Sequence, residues 1–475
     1  MDTQKLRQRI LDLAIRGKLL PQDPNDEPAS VLLDRIRAEK ERLIAEGKLK
    51  RPKAKKSTDK SHYQQFTPPF DIPESWEWVR LEDISYAVLG KMLDKSKNKG
   101  VNHPYLRNIN VRWFEFDVSD LLEMPFEMQE ADRYSIKHGD LVICEGGEPG
   151  RCAVWDKTEP IMFQKALHRV RFFGEINSHF ISNIIYLYCL NGFITTFFTG
   201  SGIKHLTGES LANIPIPMPP IKEQQRILKS VNSFDIIIQQ ITDDKKLLSN
   251  TIILIKSKII DLAMQGKLVP QDPADEPAAD MLRRVNPKAK IITDNPHSWN
   301  IPNTWTWCQL GDIFQHNTGK ALNSSNRDGI EYEYITTSNV YWNRFELDDL
   351  KKMPFKKNEL EKCTVRHGDL LVCEGGDVGR AAIWNLDRNI MIQNHLHRLR
   401  PIANEIHIPL YYHVFRHYKD KDLIGGKGIA LQGFSSKSLH QLAIPLPPYN
   451  EQKRIVAKIE ELYSVLDQIE ASLQS

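Results

Sequence analysis

The chain has 475 residues, of which 41% are hydrophobic, and a formal net charge of +3. This composition excludes a disordered protein and allows roughly two to four domains with buried cores. The small net charge permits a nucleic-acid partner but does not by itself indicate one. The N-terminal segment has no uninterrupted apolar stretch of signal-peptide type, and the six cysteines form no CxxC pair. We therefore expect a soluble, cytoplasmic protein with structural thiols.

Long segments of the chain occur twice in the same order. Residues 11–29, LDLAIRGKLLPQDPNDEPA, recur at 260–278 as IDLAMQGKLVPQDPADEPA, and IPESWEWVRLEDI at 72–84 recurs at 301–313 as IPNTWTWCQLGDI. The glycine-rich CEGGEPGRCAVW at 144–155 recurs at 373–384 as CEGGDVGRAAIW. The closing IPMPPIKEQQRI at 216–227 recurs at 444–455 as IPLPPYNEQKRI. Such self-similarity indicates a tandem duplication.

A Lys-rich run at residues 47–66 lies between the first helical segment and the first repeated domain. Few of its residues are apolar, which is typical of a solvated linker. A tail that contacts DNA phosphates remains an alternative.

Each repeated domain mixes strand-like and helical segments, which predicts an α+β (mixed α/β) fold. HGDLVICEGGEPGRCAVW predicts a strand, a glycine turn and a second strand, since glycine permits positive φ and close approach of the backbone. HFISNIIYLYCL and HIPLYYHVFRHY each predict a following helix.

A long helix is predicted after each Pro-Pro pair. From Ile227 to Leu262, apolar residues alternate in steps of four and three with one break at Lys245, and the same register runs from Ile455 to Leu473. This narrow apolar seam requires a partner helix, as in a coiled coil. The N-terminal segment continues the register, so the two termini together match the central helix. We expect the central helix and the split terminal helix to be antiparallel and to act as a spacer on the order of 65 Å long between two globular units.

Patterns that could carry catalysis are incomplete. The glycine phrase lacks the Gly-Lys-Ser/Thr ending of a P-loop and the spacing of a dinucleotide site. TPPF at 67–70 resembles the Asn/Asp-Pro-Pro-aromatic motif of amino-methyltransferases, but it begins with Thr and follows no glycine-rich loop. His395 and His397 share one face of a strand, yet Ala166 stands opposite His395 in the first copy, which disfavours a metal site. Glu145 and Glu374 have no recurring acid, base or nucleophile beside them, and a structural or hydrogen-bonding role is favoured.

The ordered combination of the LDLAIRGKLLPQDP and IDLAMQGKLVPQDP segments, the IPESWEW and IPNTWTW openings, and the IPIPMPPIKEQQRI and IPLPPYNEQKRI closings resembles the specificity subunits of type I restriction-modification systems. The resemblance covers essentially the whole chain. It implies two similar target-recognition domains, each reading one half of a bipartite double-stranded DNA site, separated by two long antiparallel coiled-coil helices with pseudo-twofold symmetry. The chain begins with a partial helical segment, in which it departs from some relatives.

The resemblance also implies partners and a division of labour. The long helical regions bind two methyltransferase subunits, which hold S-adenosylmethionine and the catalytic motif. Restriction and translocase subunits supply nuclease activity and an ATP/Mg-dependent motor. This chain is then a non-catalytic specificity subunit without a cofactor, metal or membrane partner. The implied boundaries are a helical segment at 1–45, a basic linker at 46–71, recognition domain 1 at 72–219, the central helix and connector at 220–285, a linker at 286–300, recognition domain 2 at 301–447 and a C-terminal helix at 448–475.

Comparison of the two copies separates two kinds of candidate DNA contact. Residues identical in both copies are candidate scaffold or phosphate contacts, since phosphate contacts position a protein on DNA and carry no sequence information; they are the pairs Arg151 and Arg380, Gln164 and Gln393, and Arg169 and Arg398. Matched residues that differ are candidates for base readout, since unlike half-sites need unlike side chains; they are Arg107 and Thr336, Asn108 and Thr337, Arg112 and Tyr341, Lys165 and Asn394, and Ala166 and His395. Lys204 and Lys427 complete the candidate DNA-binding set. Buried hydrogen bonding for the first group and neutral drift for the second remain alternatives.

Two other classes of function remain open from the sequence. One is a self-sufficient DNA-modifying enzyme with unfamiliar motifs, which would methylate or cut DNA without partners. The other is a coiled-coil scaffold whose repeated domains bind protein or glycan, which would show no salt-dependent affinity for DNA.

Overall fold

A computed structural model describes residues 2–49, 68–94, 96, 98–321, 328–424 and 435–474. The chain divides into two compact units, Met1–Asp244 (unit 1) and Lys245–Ser475 (unit 2). Most of the predicted basic linker at 46–71 lies outside the described residues, and so does the alternative of a phosphate-binding tail. None of the helices in the described ranges is long and apolar enough to cross a membrane.

Unit 1 mixes helices with short strands. Its helices are α1 (Thr3–Ile15), α2 (Ala29–Ala45), α3 (Leu81–Ile84), α4 (Ala131–Tyr134), α5 (Ser178–Leu190), α6 (Gly208–Ala212) and the first part of α7 (Ile221–Met264). Its strands are β1 (Glu77–Arg80), β2 (Ser85–Leu89), β3 (Val101–Leu106), β4 (Leu122–Phe126), β5 (Ser135–Ile136), β6 (Leu141–Cys144), β7 (Cys152–Val154), β8 (Ile161–Phe163), β9 (Leu167–Phe172) and β10 (Pro215–Met218).

The strands of unit 1 form two four-stranded sheets and one two-stranded sheet. The first sheet has the antiparallel order β2-β9-β6-β7; α5 packs on it and α1 packs on α5, around a core that includes Ile143, Val170 and Ile184. The second sheet has the order β4-β3-β8-β5, in which β3 and β8 are parallel. β1 pairs with β10, which brings the two ends of the domain together before α7 begins.

Unit 2 repeats this architecture. Its helices are the rest of α7, α8 (Ala278–Val285), α9 (Leu310–Ile313), α10 (Lys357–Cys363), α11 (Ile408–Asp420), α12 (Ser436–His440) and α13 (Tyr449–Gln474). Its strands are β11 (Thr306–Gln309), β12 (Phe314–Thr318), β13 (Ile330–Ile335), β14 (Val340–Tyr341), β15 (Arg344–Phe345), β16 (Lys351–Phe355), β17 (Thr364–Val365), β18 (Leu370–Cys373), β19 (Ala381–Ile383), β20 (Ile390–Ile392), β21 (Leu396–Pro401) and β22 (Ala443–Leu446). The sheet orders are β12-β21-β18-β19, β16-β13-β20-β17 and β11-β22, with β14 and β15 as an additional hairpin. The predicted mixed α+β class is confirmed.

Within each unit, a terminal helix packs antiparallel against part of α7. In unit 1, Arg7 Nε donates to Asp235 at 2.8 Å, whereas Gln22, later in the chain, reaches back to Glu223 at 2.7 Å. In unit 2, Lys256 pairs with Asp467 at 2.5 Å. Ile252, Ile259, Ile455 and Ile459 are buried in one core cluster of that unit, as the apolar seam in the sequence predicts.

The repeated PQDP segment joins each recognition domain to the start of its long helix. Ahead of this segment, the chain leaves the helical conformation at Gly17. The φ of Gly17 is +64°, and a Cβ built on it would lie 2.4 Å from Pro73 Cγ. The segment then brings the buried carboxylate of Asp26 to Arg226 at 2.5 Å. The equivalent Asp275 and Arg454 pair at 2.7 Å in unit 2. This helix break separates α1 from α2 within the N-terminal segment, which the sequence pattern treated as one helical stretch.

Candidate nucleic-acid interface

Most of the candidate DNA contacts lie on loops that the structure brings together in each unit. We call residues 107–112, 145–151, 164–166 and 199–206 loop cluster 1. We call residues 336–341, 374–380 and 393–395 loop cluster 2. Lys427, the last candidate of unit 2, lies outside the described residues.

The glycine phrase forms the turn at the centre of each cluster. In unit 1 it connects β6 to β7, with Cys144 O accepting from Gly150 N at 3.0 Å. In unit 2, Cys373 O accepts from Gly379 N at the same distance. Gly147 has a φ of +77° and its counterpart Gly376 a φ of +71°, a conformation that glycine adopts without strain. The predicted strand, glycine turn and strand are confirmed in both copies.

The arginine at the end of each glycine turn holds the neighbouring loop. Arg151 Nη2 donates to Asn108 O at 3.0 Å, and Arg380 Nη2 donates to Thr337 O at 2.7 Å. Their side chains are 14% and 18% exposed, and Arg151 also pairs with Glu148. Both arginines therefore position a loop that carries candidate base contacts, and only a small part of each guanidinium reaches solvent.

The third segment of each cluster lies beside the first residue of the glycine turn. Glu145 N donates to Ala166 O at 2.8 Å, and Glu374 N donates to His395 O at 2.9 Å. Gln164 and Gln393 are half-buried, and their backbone nitrogens donate to Leu106 O and Ile335 O at 3.1 Å in each case. Ala166 has a φ of +103°, a conformation that is strained for a residue with a Cβ. Lys165 and His395 point their side chains to solvent.

Loop 199–206 adds a fourth segment to loop cluster 1. Leu206 N donates to Glu145 O at 2.8 Å, which places the exposed Lys204 close to the glycine turn. His205 lies against the same turn, since a Cβ on Gly146 would be 3.2 Å from its Nδ1 atom. No sequence pattern indicated His205, because its position depends on how this loop folds back onto the turn.

The first loop of each cluster carries candidates in different environments. Arg107 is held by Asp120, with its Nη2 atom 2.8 Å from the carbonyl and 2.9 Å from the carboxylate oxygen. Arg112 is exposed, whereas the ring of Tyr341 has the guanidinium carbons of Arg344 and Arg380 at 4.8 and 5.2 Å from its centroid. Asn108 is half-buried, and its Nδ2 atom lies 3.4 Å from Gly146 O. Thr336 and Thr337 are also half-buried.

Two candidates lie in the interior of the units. Arg169 and Arg398 are 2% and 1% exposed. Arg169 donates to Ser135 O at 2.8 Å and Arg398 to Thr364 O at 2.7 Å. Each lies on the strand at the second position of its sheet, where both faces are covered. The prediction of a DNA contact is therefore corrected for this pair, which holds backbone carbonyls inside the fold.

The two clusters share a backbone frame but carry different side chains. Loop cluster 1 exposes three cationic residues, Arg112, Lys165 and Lys204. Loop cluster 2 carries Thr337, Tyr341, Asn394 and His395 at exposed or half-buried positions. One scaffold thus presents two chemically distinct surfaces, which suits the recognition of two different ligands of the same class.

The clusters contain no activated nucleophile among their described residues. Burial raises the pKa of both Cys144 and Cys373 to about 11, so these thiols stay protonated near neutral pH. In the described ranges, no group of three His, Cys, Asp or Glu side chains could hold a metal ion. The polar groups here are suited to hydrogen bonding with a ligand.

Comparisons with known proteins agree with this description. A family model described as "Type I restriction modification DNA specificity domain" matches residues 73–272 and 302–475. The chain is similar to the type I restriction enzyme EcoAI specificity subunit of Escherichia coli, with 26% identity over 98% of this chain and 90% of that protein. It is also similar to the EcoEI specificity subunit of Escherichia coli, with 27% identity over 99% of this chain and 91% of that protein.

Two solved structures share the fold. The HsdS subunit from Thermoanaerobacter tengcongensis superimposes with a TM-score of 0.55 and 21% identity, over 86% of this chain and 92% of that one. A chain from a structure titled for complex assembly and conformational transition of the type I R-M system gives a TM-score of 0.55 and 18% identity, over 86% of this chain and 94% of that one.

Proposed function

The chain belongs to the type I restriction-modification DNA specificity family, and from this premise we propose that its two units read the two halves of a bipartite double-stranded DNA site. The observation that carries the proposal is the repetition of one loop frame with different side chains. Arg151 and Arg380 hold the same loops in both units, whereas Lys165 and Asn394 occupy the same place with different chemistry. Loops with the same backbone arrangement but different side chains can read two different DNA sequences.

The proposed contacts follow from the chemistry of base edges. In the major groove, lysine and arginine pair with guanine O6 and N7, asparagine pairs with adenine, and apolar groups such as the threonine methyl contact the thymine methyl. Arg112, Lys165 and Lys204 in unit 1 are candidates for the first kind of contact, and Asn394 in unit 2 is a candidate for the second. Arg107, Asn108, Thr336, Thr337, Tyr341 and His395 remain candidates for readout, and Arg151, Gln164, Arg380 and Gln393 position the loops.

The chain acts with partner subunits in this proposal. Specificity subunits of this family act with methyltransferase and restriction subunits. We propose two methyltransferase subunits for one copy of this chain, docked on the long helices. S-adenosylmethionine and ATP/Mg are bound by those partners, and this chain supplies recognition without catalysis. Its proposed site of action is the cytoplasm, where the DNA that it would read lies.

A methylation map tests the proposal. DNA from cells that carry the gene for this chain and its methyltransferase partner is compared with DNA from cells that lack only this gene. We expect a two-part, asymmetric motif with methyladenine in both parts, and we expect it to disappear when the gene is deleted. A motif that survives the deletion, or a continuous motif, contradicts the proposal. Methylation by the purified chain without a partner would instead indicate a self-sufficient enzyme.

A further inference from the structure

Glu145 and Glu374 occupy the same place at the centre of the two loop clusters. Each is the first residue of its glycine turn. Its backbone N–H donates a hydrogen bond to the carbonyl of Ala166 in unit 1 or His395 in unit 2. In unit 1, the carbonyl of Glu145 also accepts from Leu206 N at 2.8 Å. The backbone of each glutamate is therefore fixed by neighbouring loops that carry candidate DNA contacts.

The carboxylates themselves do not hold these turns together. Among the described residues, no hydrogen bond or ion pair joins the Glu145 side chain to the rest of unit 1, and its charge acts within the unit on the buried His168. The Glu374 side chain is 29% exposed, and its partner is His395, whose Nδ1 atom lies 3.6 Å away. Because alanine occupies the position of His395 in unit 1, this contact is not shared. A partly exposed pair of this kind also contributes little to stability, so this ion pair does not explain a glutamate in both units.

A contact with DNA phosphate does not explain why both units carry a glutamate at this position either. A carboxylate is a hydrogen-bond acceptor only, and like charges at short range repel. On a surface that binds DNA, such a group is favourable where it meets a donor. The donors that duplex DNA offers in the major groove are the exocyclic amino groups of cytosine and adenine.

The glycine turn of unit 2 leaves room for such an approach. Gly147 and Gly376 are exposed and have positive φ, so in both units the backbone changes direction two residues after the glutamate. Of the described residues, none has an atom within 4 Å of a Cβ built on Gly375 or Gly376. A base edge can therefore come close to the Glu374 carboxylate without meeting a side chain above the turn. In unit 1, His205 Nδ1 lies 3.2 Å from a Cβ built on Gly146 and Asn108 Nδ2 lies 2.6 Å from one built on Gly147, so a base edge that meets Glu145 also meets these two side chains.

We propose that Glu145 and Glu374 each accept a hydrogen bond from an exocyclic amino group, N4 of cytosine or N6 of adenine, at one position of the half-site that their unit reads. This inference rests on the proposed function and adds to it a specificity-determining residue in each unit. Because the same residue serves both units, each half-site has adenine or cytosine, and not guanine or thymine, at this position on the strand that the carboxylate faces. The side chains around the glutamates then distinguish the remaining positions.

Selection from random DNA by the purified complex with its methyltransferase partner tests the inference. The proteins compared are the wild type, Glu145→Ala, Glu145→Gln, Glu374→Ala and Glu374→Gln. We expect each alanine variant to lose about tenfold or more of the preference at one position of one half-site, while the other half-site is selected as in the wild type. That untouched half-site and an unchanged melting temperature control for folding.

The glutamine variants distinguish the two sources of the amino group. Glutamine pairs with adenine through N6 and N7, so a position that reads cytosine should shift towards adenine in the glutamine variant. A position that reads adenine should keep adenine with glutamine and lose it with alanine. Glu175→Gln, an exposed carboxylate of unit 1 outside loop cluster 1, should leave all preferences unchanged.

Two results would overturn the inference. In one, the wild type selects a two-part sequence and both alanine variants keep its preferences at every position. In the other, an alanine variant weakens binding to all sequences equally. Either result leaves the proposed function in place. If the wild-type complex itself selects no two-part sequence, the proposed function fails together with the inference.

Discussion

Replacing Arg169 with alanine should destabilise unit 1 strongly, because this buried side chain satisfies backbone carbonyls. Its Nη1 atom lies 2.8 Å from Ser135 O and 3.2 Å from each of the Asp132 and Arg133 carbonyls. The substitution removes these charged hydrogen bonds and leaves a cavity. Hydrogen bonds to charged groups contribute about 1.5–3 kcal/mol, and large-to-small core changes cost about 2–5 kcal/mol. As the two effects overlap, we expect a loss of about 3–5 kcal/mol in the free energy of unfolding of unit 1.

Thermal and denaturant unfolding measure this loss. For a unit of this size, 1 kcal/mol corresponds to about 2–4 °C, so the melting temperature of unit 1 should fall by about 10 °C. Arg398→Ala is the matched change in unit 2 and should have a similar effect there, whereas the exposed Arg112→Ala should change stability by less than about 0.5 kcal/mol. A different result would contradict the reasoning from burial. If Arg169→Ala keeps wild-type stability and instead reduces the slope of log DNA affinity against log salt concentration by about 1, then Arg169 contacts phosphate.

Two further predictions concern the junction between each recognition domain and its helices. Gly17→Ala should lower the melting temperature much more than Gly47→Ala, since both glycines have positive φ but only a Cβ on Gly17 would overlap Pro73; equal effects would contradict the packing argument. Hydrogen bonding from Arg454 lowers the pKa of Asp275, so the stability it contributes is present above its unfolded pKa of about 3.8 and is lost as the pH falls below that value. Urea unfolding between pH 6 and pH 3 should therefore show a smaller loss of stability for Asp275→Asn than for the wild type, and identical pH profiles would exclude this role.

The periodicity of the sequence predicted the long helices well. The seam from Ile227 to Leu262 lies within α7, and the matching seam from Ile455 lies within α13, because a sustained apolar register predicts a helix. The register did not predict burial at every position, since Phe234, Leu248 and Ile255 of the α7 seam are exposed within their units. The break between α1 and α2 was missed, since it depends on contacts of Gly17 with Pro73, a residue far along the chain.

The candidate site could be located from the sequence but not resolved residue by residue. Self-comparison identified the loops that come together, because the duplicated segments carry the same backbone hydrogen bonds in both units. It did not decide whether Arg169 contacts phosphate or forms buried hydrogen bonds, since the strand that carries Arg169 is covered on both faces, which only the sheet order shows. The position of His205 beside Gly146 also depends on a long-range loop contact.

The central claim, that each unit reads its own half of the DNA site, is tested most directly by paired variants in a methylation map. One variant carries Lys165→Ala with Lys204→Ala in loop cluster 1, and the other carries Asn394→Ala with His395→Ala in loop cluster 2. These side chains are exposed or half-buried, so the changes should spare the fold. We expect each variant to relax the sequence requirement in one half of the methylated motif, a different half for each variant. Relaxation of both halves by one variant, or of the same half by both, would contradict the claim.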